Sequence, residues 1–294
     1  MNSVPFLFCE VVYRTLHYSK VTVYNGSELS GVFGVVATRA IDNMVFLSLK
    51  MTSGNFRERA YERQYTGGDR IRFSEVVKKH HSYTGLSIAA DIGERAKYSV
   101  DPATLRELSA ATNNTRVYLI LLTTNIPEEL KSFIGSLRLC DHVNITDGNV
   151  DILETLVEKN TLQRVTFDGS GQVCEEAMKQ MLVLLKQSQF SVAIMKRFPQ
   201  SHLTTVISVW LNYSTAMVGK AIFSVQICNH ETREELGFRQ CTEEEIRFFR
   251  RYYPQFQEIF KGRYLSFILR NEANSGMYLF VNTLYRFEML IVFT

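Results

Sequence analysis

The sequence contains little of what marks secreted, membrane or metal-binding chains. Its 294 residues include five cysteines, which are odd in number, and no Cys-x-x-Cys pair. This pattern predicts reduced, buried thiols and argues against a disulfide framework or a zinc ribbon. No apolar run reaches the roughly 18 residues of a transmembrane helix, and the amino-terminal stretch lacks the basic leader of a secretory signal. We therefore expect a cytoplasmic protein without a membrane partner, with a nuclear location left open.

An excess of charge of one sign is also missing. The chain has 33 Lys and Arg residues against 30 Asp and Glu residues, which gives a net charge of +3. Nucleic-acid-binding domains usually carry a much larger basic excess, so the charge balance makes nucleic acid a less favoured partner. With 46% hydrophobic and 21% charged residues, the composition predicts an ordinary globular chain that is long enough to bury a large core.

What the sequence does contain is a regular alternation of strand-like and helix-like segments. Four short β-rich runs follow one another at a spacing of roughly two dozen residues, which is the range of leucine-rich-repeat units. We therefore predict an α/β fold of leucine-rich-repeat-like strand–helix repeats, with a parallel sheet and helices on its outer side. The runs lie at residues 117–122, 142–145, 162–167 and 190–194.

The segments between and after these runs have helical periodicity. Apolar stripes predict helices in 126–137, 150–157, 173–186 and 203–210. In the last of these, Trp210 should face inward together with Leu203, Val206 and Ile207. Thr242 and Glu245 have the spacing of a capping box, so another helix should begin there. Its aromatic residues Phe248, Phe249, Tyr252 and Tyr253 are expected to pack in the core, with one of them as a candidate partner anchor. Residues 264–269 and 279–293 are predicted to form terminal strands, and the polar residues within the second run predict a solvated side or a turn there.

These patterns suggest three regions. Residues 1–40 form a small helical head, 41–100 a β-rich connecting unit, and 101–294 the repeat domain. Within the middle region, strand candidates lie at 44–49, 70–73 and 86–88.

The head resembles a known motif. Residues Val4-Pro5-Phe6-Leu7-Phe8, followed by an apolar stretch to Leu16, are similar to the start of an F-box, and the repeats resemble the substrate-binding half of nematode F-box-associated proteins. The resemblance implies that Pro5, Phe8, Val12 and Leu16 contact the Skp-type adaptor of a cullin-RING ubiquitin ligase. The repeats would then bind a protein substrate of unknown identity. Alternatively, the head only closes one end of the repeats, and the chain is a scaffold without ligase linkage.

A segment rich in arginine and tyrosine offers a third hypothesis. Side chains of these types can stack on bases and neutralise phosphates, so the chain could be an RNA-associated factor. Glu58 and Glu62 dilute the charge, and their spacing of four indicates a solvated helix face. The candidate RNA-binding residues are Arg57, Arg59, Tyr61, Arg63 and Tyr65.

Catalytic patterns are weak. The turn Asp168-Gly169-Ser170-Gly171 matches neither a P-loop nor a dinucleotide fingerprint. Cys140 and His142 could form a nucleophile–base pair only within a cleft, for which the sequence contains no sign. We therefore expect a binding protein and not an enzyme, with no cofactor and no metal.

Overall fold

The computed structural model describes the chain in thirteen segments and a few positions between them. Between residues 40 and 90 it describes the backbone. The chain divides into two compact units, Met1–Asn144 and Ile145–Thr294. The described residues are 27–42, 44–52, 55–62, 70–71, 82–90, 117–121, 128–168, 173–198, 200–224, 230–254, 264–272, 275–282 and 289–294, with positions 103, 105–106, 109–110, 126 and 256.

The first unit contains a mixed sheet. The elements are helix α1 (Val32–Asp42), strands β1 (Met44–Thr52), β2 (Asn55–Glu62), β3 (Arg70–Ile71), β4 (Ser82–Ala90) and β5 (Val117–Leu121), helix α2 (Glu128–Ser136) and strand β6 (Cys140–Ile145), whose last residue falls in the second unit. The strands lie in the order β6-β5-β4-β1-β2-β3. β1 pairs antiparallel with β2 and parallel with β4, and β4 pairs parallel with β5.

The strands predicted between residues 41 and 100 are confirmed by β1, β3 and β4. The helical interpretation of the Arg/Tyr segment is wrong, because residues 55–62 form β2 and pair with β1 along their whole length. Charges spaced four apart fit a helix, but they also recur on a strand, and the backbone ladder to β1 is the stronger constraint. The three-region division remains a prediction.

The second unit combines helices with strands that pair parallel in one part of the sheet and antiparallel in the other. The elements are α3 (Val150–Glu158), β7 (Arg164–Phe167), α4 (Glu175–Leu184), β8 (Val192–Met195), α5 (Leu203–Met217), β9 (Ala221–Ser224), α6 (His230–Glu235), β10 (Arg239–Gln240), α7 (Glu243–Tyr252), β11 (Tyr264–Arg270), β12 (Gly276–Asn282) and β13 (Met289–Phe293).

β7, β8 and β9 are parallel neighbours, whereas β9, β13, β12, β11 and β10 pair antiparallel in that order. The predicted α/β class is therefore confirmed. Parallel pairing of successive strands in this unit is shown for β7–β9, after which an antiparallel meander begins. The strand predicted at 279–293 proves to be parts of two strands, β12 and β13.

The helices form where the apolar stripes predicted them. α2, α3, α4 and α5 all lie within or across the predicted segments. In α5 the residues Leu203, Val206 and Trp210 are buried, as their spacing of three and four requires. Ile207, which was predicted on the same face, is half-buried.

Candidate functional site

The parallel half of the second unit's sheet has one covered face and one half-open face. Side chains alternate between the two faces of a strand, and here burial alternates with them. The covered face contains Val165, Phe167, Ala193 and Met195, which are all buried.

Crossover geometry explains the covered face. β7, β8 and β9 are neighbours in chain order, and right-handed crossovers between such strands put their helices on the same side. Two hydrogen bonds tie this layer together. The Ser224 hydroxyl accepts from the Phe198 backbone N–H at 3.1 Å, and Gln187 Nε2 donates to the Val157 carbonyl at 2.9 Å. The crossover helices therefore lie on the side of Val165 and Ala193, whereas Thr166, Ile194 and Phe223 belong to the opposite face.

That opposite face is a mainly apolar surface. Thr166, Ile194 and Phe223 form one row across β7, β8 and β9, and Arg164 lies beside Val192 in the next row. All except the exposed Arg164 are half-buried. None of these residues was predicted as a site from the sequence. Every residue of β8 is apolar, so the sequence contains no period-2 signal that separates its two faces. The surface offers apolar contacts, one hydroxyl and one cation, which suits a protein segment as ligand.

Helix α7 borders this face. Its Phe249 is fully buried in a cluster with Tyr278 and Phe280, with ring centroids 4.9 and 4.8 Å away. Val192 and Phe223 of the half-open face pack against the same cluster. The aromatic cluster under α7 thus extends to the edge of the half-open face.

A carboxylate holds the start of α7 in place. The predicted capping box is confirmed, with the Thr242 hydroxyl accepting from the Glu245 N–H and the Glu245 carboxylate accepting from the Thr242 N–H. The same carboxylate accepts from Arg239 at 2.7 Å and from Arg270 at 3.0 Å. Hydrogen bonds from Arg239, and further ones from the Thr242 backbone and Arg270, lower the pKa of Glu245 to about 2. Glu245 therefore anchors α7 to β10 and β11.

The ionisable groups beneath α7 are held neutral. Burial raises the pKa of Tyr278 to about 12. Burial, with a smaller effect of the Glu245 charge, raises the pKa of Cys241 to about 12. A thiol with such a pKa is protonated at neutral pH, so Cys241 packs beside the start of α7 as a neutral side chain.

The four aromatic residues of α7 divide into two pairs. Phe249 is buried and stacks on Tyr253 at 5.2 Å, as the prediction of core packing requires. Phe248 and Tyr252 are instead 49% and 56% exposed, with their rings 4.6 Å apart. The Arg251 guanidinium lies 5.5 Å from the Tyr252 ring centre. The prediction of core packing is therefore confirmed for the inner pair, whereas the outer pair lies at the surface.

Most of the sites predicted from sequence lie outside the described residues. This holds for Pro5, Phe8, Val12 and Leu16 of the head. Of the Arg/Tyr segment, Arg63 and Tyr65 also lie outside, whereas the three remaining candidates belong to β2. Those three are Arg57, Arg59 and Tyr61.

The residues of the weak catalytic patterns are described in part. Cys140 is buried and its thiol contacts the His142 backbone carbonyl at 3.7 Å, while the His142 ring packs on Tyr118 at 4.2 Å. Asp168 forms an ion pair with Lys196, and residues 169–171 lie outside the described part. Among the described residues, no group of three or more His, Cys, Asp or Glu side chains could hold a metal ion.

The chain matches no family model, no curated protein and no solved structure. Within the part of the chain that the structure describes, no helix has the length and apolar character needed to span a membrane.

Proposed function

We propose that this chain is a protein-binding module whose half-open β7–β9 face takes a segment of a partner protein. The observation that carries the proposal is the one-sided cover of these parallel strands. Thr166, Ile194 and Phe223 form a half-exposed row, whereas the alternating residues of β7 and β8 are buried. Leucine-rich-repeat-like arrays bind partners through such an exposed face. The succession of parallel strands and helices supports the proposed similarity to these arrays.

The proposal extends to a role in ubiquitin ligation. The resemblance of the amino-terminal residues to an F-box supports a contact of Pro5, Phe8, Val12 and Leu16 with a Skp-type adaptor. The β7–β9 face then holds the protein to be modified. The alternative within the same class is a scaffold that binds its partner through this face and has no adaptor.

Adaptor binding is tested with the full chain and a purified Skp-type adaptor. The double variant Phe8→Asp/Val12→Asp places charges in the proposed apolar contact, which is costly if that contact is buried. Lost pull-down at an unchanged melting temperature supports the ligase role. If the unmutated, folded chain does not bind the adaptor, the ligase role is wrong and the scaffold role is left.

The partner-binding face is tested separately. Affinity purification with mass spectrometry compares the unmutated chain with the variant Ile194→Arg. The control is Val183→Arg on α4, because Val183 is 40% exposed and lies in the helical layer. Partners that disappear with Ile194→Arg and persist with Val183→Arg support the proposed face. Equal partner sets for all three proteins contradict it.

A further inference from the structure

The register of the first unit separates charges that the sequence mixes. In a strand, residues two apart share a face. Arg57, Arg59 and Tyr61 therefore lie on one face of β2, whereas Glu58 and Glu62 lie on the other. The glutamates that dilute the positive charge along the sequence thus belong to the opposite side of the sheet.

Neighbouring strands add residues of the same kind to this face. The register pairs Arg57 with Lys50 of β1, and it pairs Tyr61 with Phe46 of β1. On its other side Tyr61 pairs with Arg70 of β3. Paired residues of adjacent strands lie on the same face. Four cationic residues and two aromatic residues therefore share this part of the sheet.

The aromatic row continues across the sheet. Phe46 pairs with Gly85 of β4, and the β4–β5 register, extended by one residue from the pair Leu86–Leu119, puts Tyr118 beside Gly85. Tyr118 then packs against His142 of β6, with ring centroids 4.2 Å apart at an interplanar angle of 38°. Gly85 adds no side chain to this row, and a glycine within a strand often marks a place where a ligand approaches closely.

Burial on β5 and β6 shows which face is open. Tyr118 and His142 are half-buried, whereas Leu119, Leu121 and Val143 on the opposite face are fully buried. Tyr118 and His142 thus lie on the less buried side of the sheet.

We propose that this face of the first unit, which we call the basic aromatic face, is a binding site for a single-stranded polynucleotide. Aromatic rings stack on successive bases regardless of sequence, and the four cations neutralise the backbone phosphates. A modest net charge of +3 is compatible with this role, because four cationic residues share this one face. The site goes beyond the protein-binding role and uses residues other than those of the β7–β9 face.

Binding is measured by fluorescence anisotropy on the full chain. The probes are labelled oligo(U) RNA and oligo(dT) DNA of about 15 nucleotides, a length that covers one stacking platform, together with a duplex of the same length. We expect binding of the single strands with a slope of log K against log salt of about −3, as expected for four neutralised phosphates. Tighter binding of oligo(U) identifies RNA as the natural ligand, and tighter binding of oligo(dT) identifies DNA.

Matched variants on the two faces of β2 separate the site from general electrostatics. Arg57→Gln/Arg59→Gln should weaken binding and make the salt slope shallower by about 1.4. Glu58→Gln/Glu62→Gln changes the same number of charges on the opposite face and should leave the slope unchanged. On β5, Tyr118→Ala should weaken binding roughly 5- to 150-fold, the range for loss of one stacked base.

Several outcomes would overturn the proposal. One is that the unmutated chain binds none of the probes at about 50 mM salt, where phosphate contacts are strong. Another is that it binds the duplex more tightly than the single strands. A third is that the two β2 double variants weaken binding equally. Should Tyr118→Ala fail to fold, ultraviolet cross-linking of the unmutated chain to oligo(U) provides an independent test. Nucleotide adducts on Tyr61, Tyr118 or His142 support the site, and adducts confined to other residues exclude it.

Discussion

The ammonium group of Lys220 lies 2.8 Å from the carbonyl oxygen of Leu185, a residue 35 positions earlier in the chain. It also donates to the Gln187 carbonyl. Both carbonyls follow the end of α4, where helix carbonyls have no intrahelical partner. A cation at a helix carboxyl terminus is favourable, but Lys220 is only 3% exposed, and burial lowers the pKa of Lys220 to about 8.

The first prediction is an alkaline gain in stability that depends on Lys220. Its pKa is about 8 in the folded chain, against an ordinary value of 10.5 for a solvated lysine, so the unfolded chain binds more protons between these pH values. Stability therefore rises with pH across this window, by up to about 3 kcal/mol from this group. In urea unfolding, the free energy of unfolding of the unmutated chain should increase from pH 8 upward relative to that of Lys220→Met. A parallel pair of curves would contradict this, and exposed Lys179→Met on α4 is the control.

The second prediction concerns acid stability and Glu245. The pKa of its carboxyl is lowered from 4.5 to about 2, so its stabilising effect is complete above pH 4.5 and is lost as the pH falls toward 2. Glu245→Gln should lower the free energy of unfolding by about 2–3 kcal/mol at neutral pH, with the difference vanishing near pH 2.

Urea unfolding between pH 2 and 7 measures this difference, and Glu244→Gln is the control because Glu244 is exposed on the same helical turn. A deficit of Glu245→Gln that persists unchanged at pH 2 would show that the carboxylate charge is not its cause.

The third prediction concerns the packing of α5. Trp210 is completely buried, whereas its neighbour Leu211 is 53% exposed. Trp210→Ala should destabilise the chain by about 3–5 kcal/mol because it leaves a large cavity. Leu211→Ala should change the free energy of unfolding by less than about 0.5 kcal/mol. Chemical denaturation of both variants checks the pair, and similar losses would mean that burial does not govern this helix.

The fourth prediction uses the two adjacent phenylalanines of α7. Phe249 is completely buried among aromatic rings, and Phe248 is 49% exposed. Phe249→Ala should cost about 3–5 kcal/mol and lower the melting temperature strongly. Phe248→Ala should leave the melting temperature nearly unchanged, since its ring contacts mainly Tyr252 at the surface. The reverse order in thermal unfolding would place the opposite face of α7 inward.

Local sequence patterns were sufficient to predict a helix or strand wherever its formation depends mainly on its own residues. The apolar stripes placed α2 to α5, the β-rich runs placed β5 to β8, and Thr242 with Glu245 marked the start of α7. Each of these signals depends on residues within about one or two helical turns, so a single sequence contains all the information needed.

The Arg/Tyr segment shows where local patterns become ambiguous. Arg57, Arg59 and Tyr61 alternate with period 2, while Glu58 and Glu62 recur with the spacing of a helix. Both periods are present in the same residues, and only pairing with β1 selects the strand. That pairing in turn decides which residues share a face.

The sequence by itself determined the α/β class, the position of most described elements after residue 117 and the inward face of α5. Only the tertiary structure decided that β9 has a parallel neighbour on one side and an antiparallel neighbour, β13, on the other. It also decided that Lys220 meets the end of α4 and that Glu245 meets Arg270. The physical reason is distance along the chain. Element formation depends on neighbours a few residues away, whereas strand order and buried polar contacts join residues that the sequence separates by 25 to 71 positions.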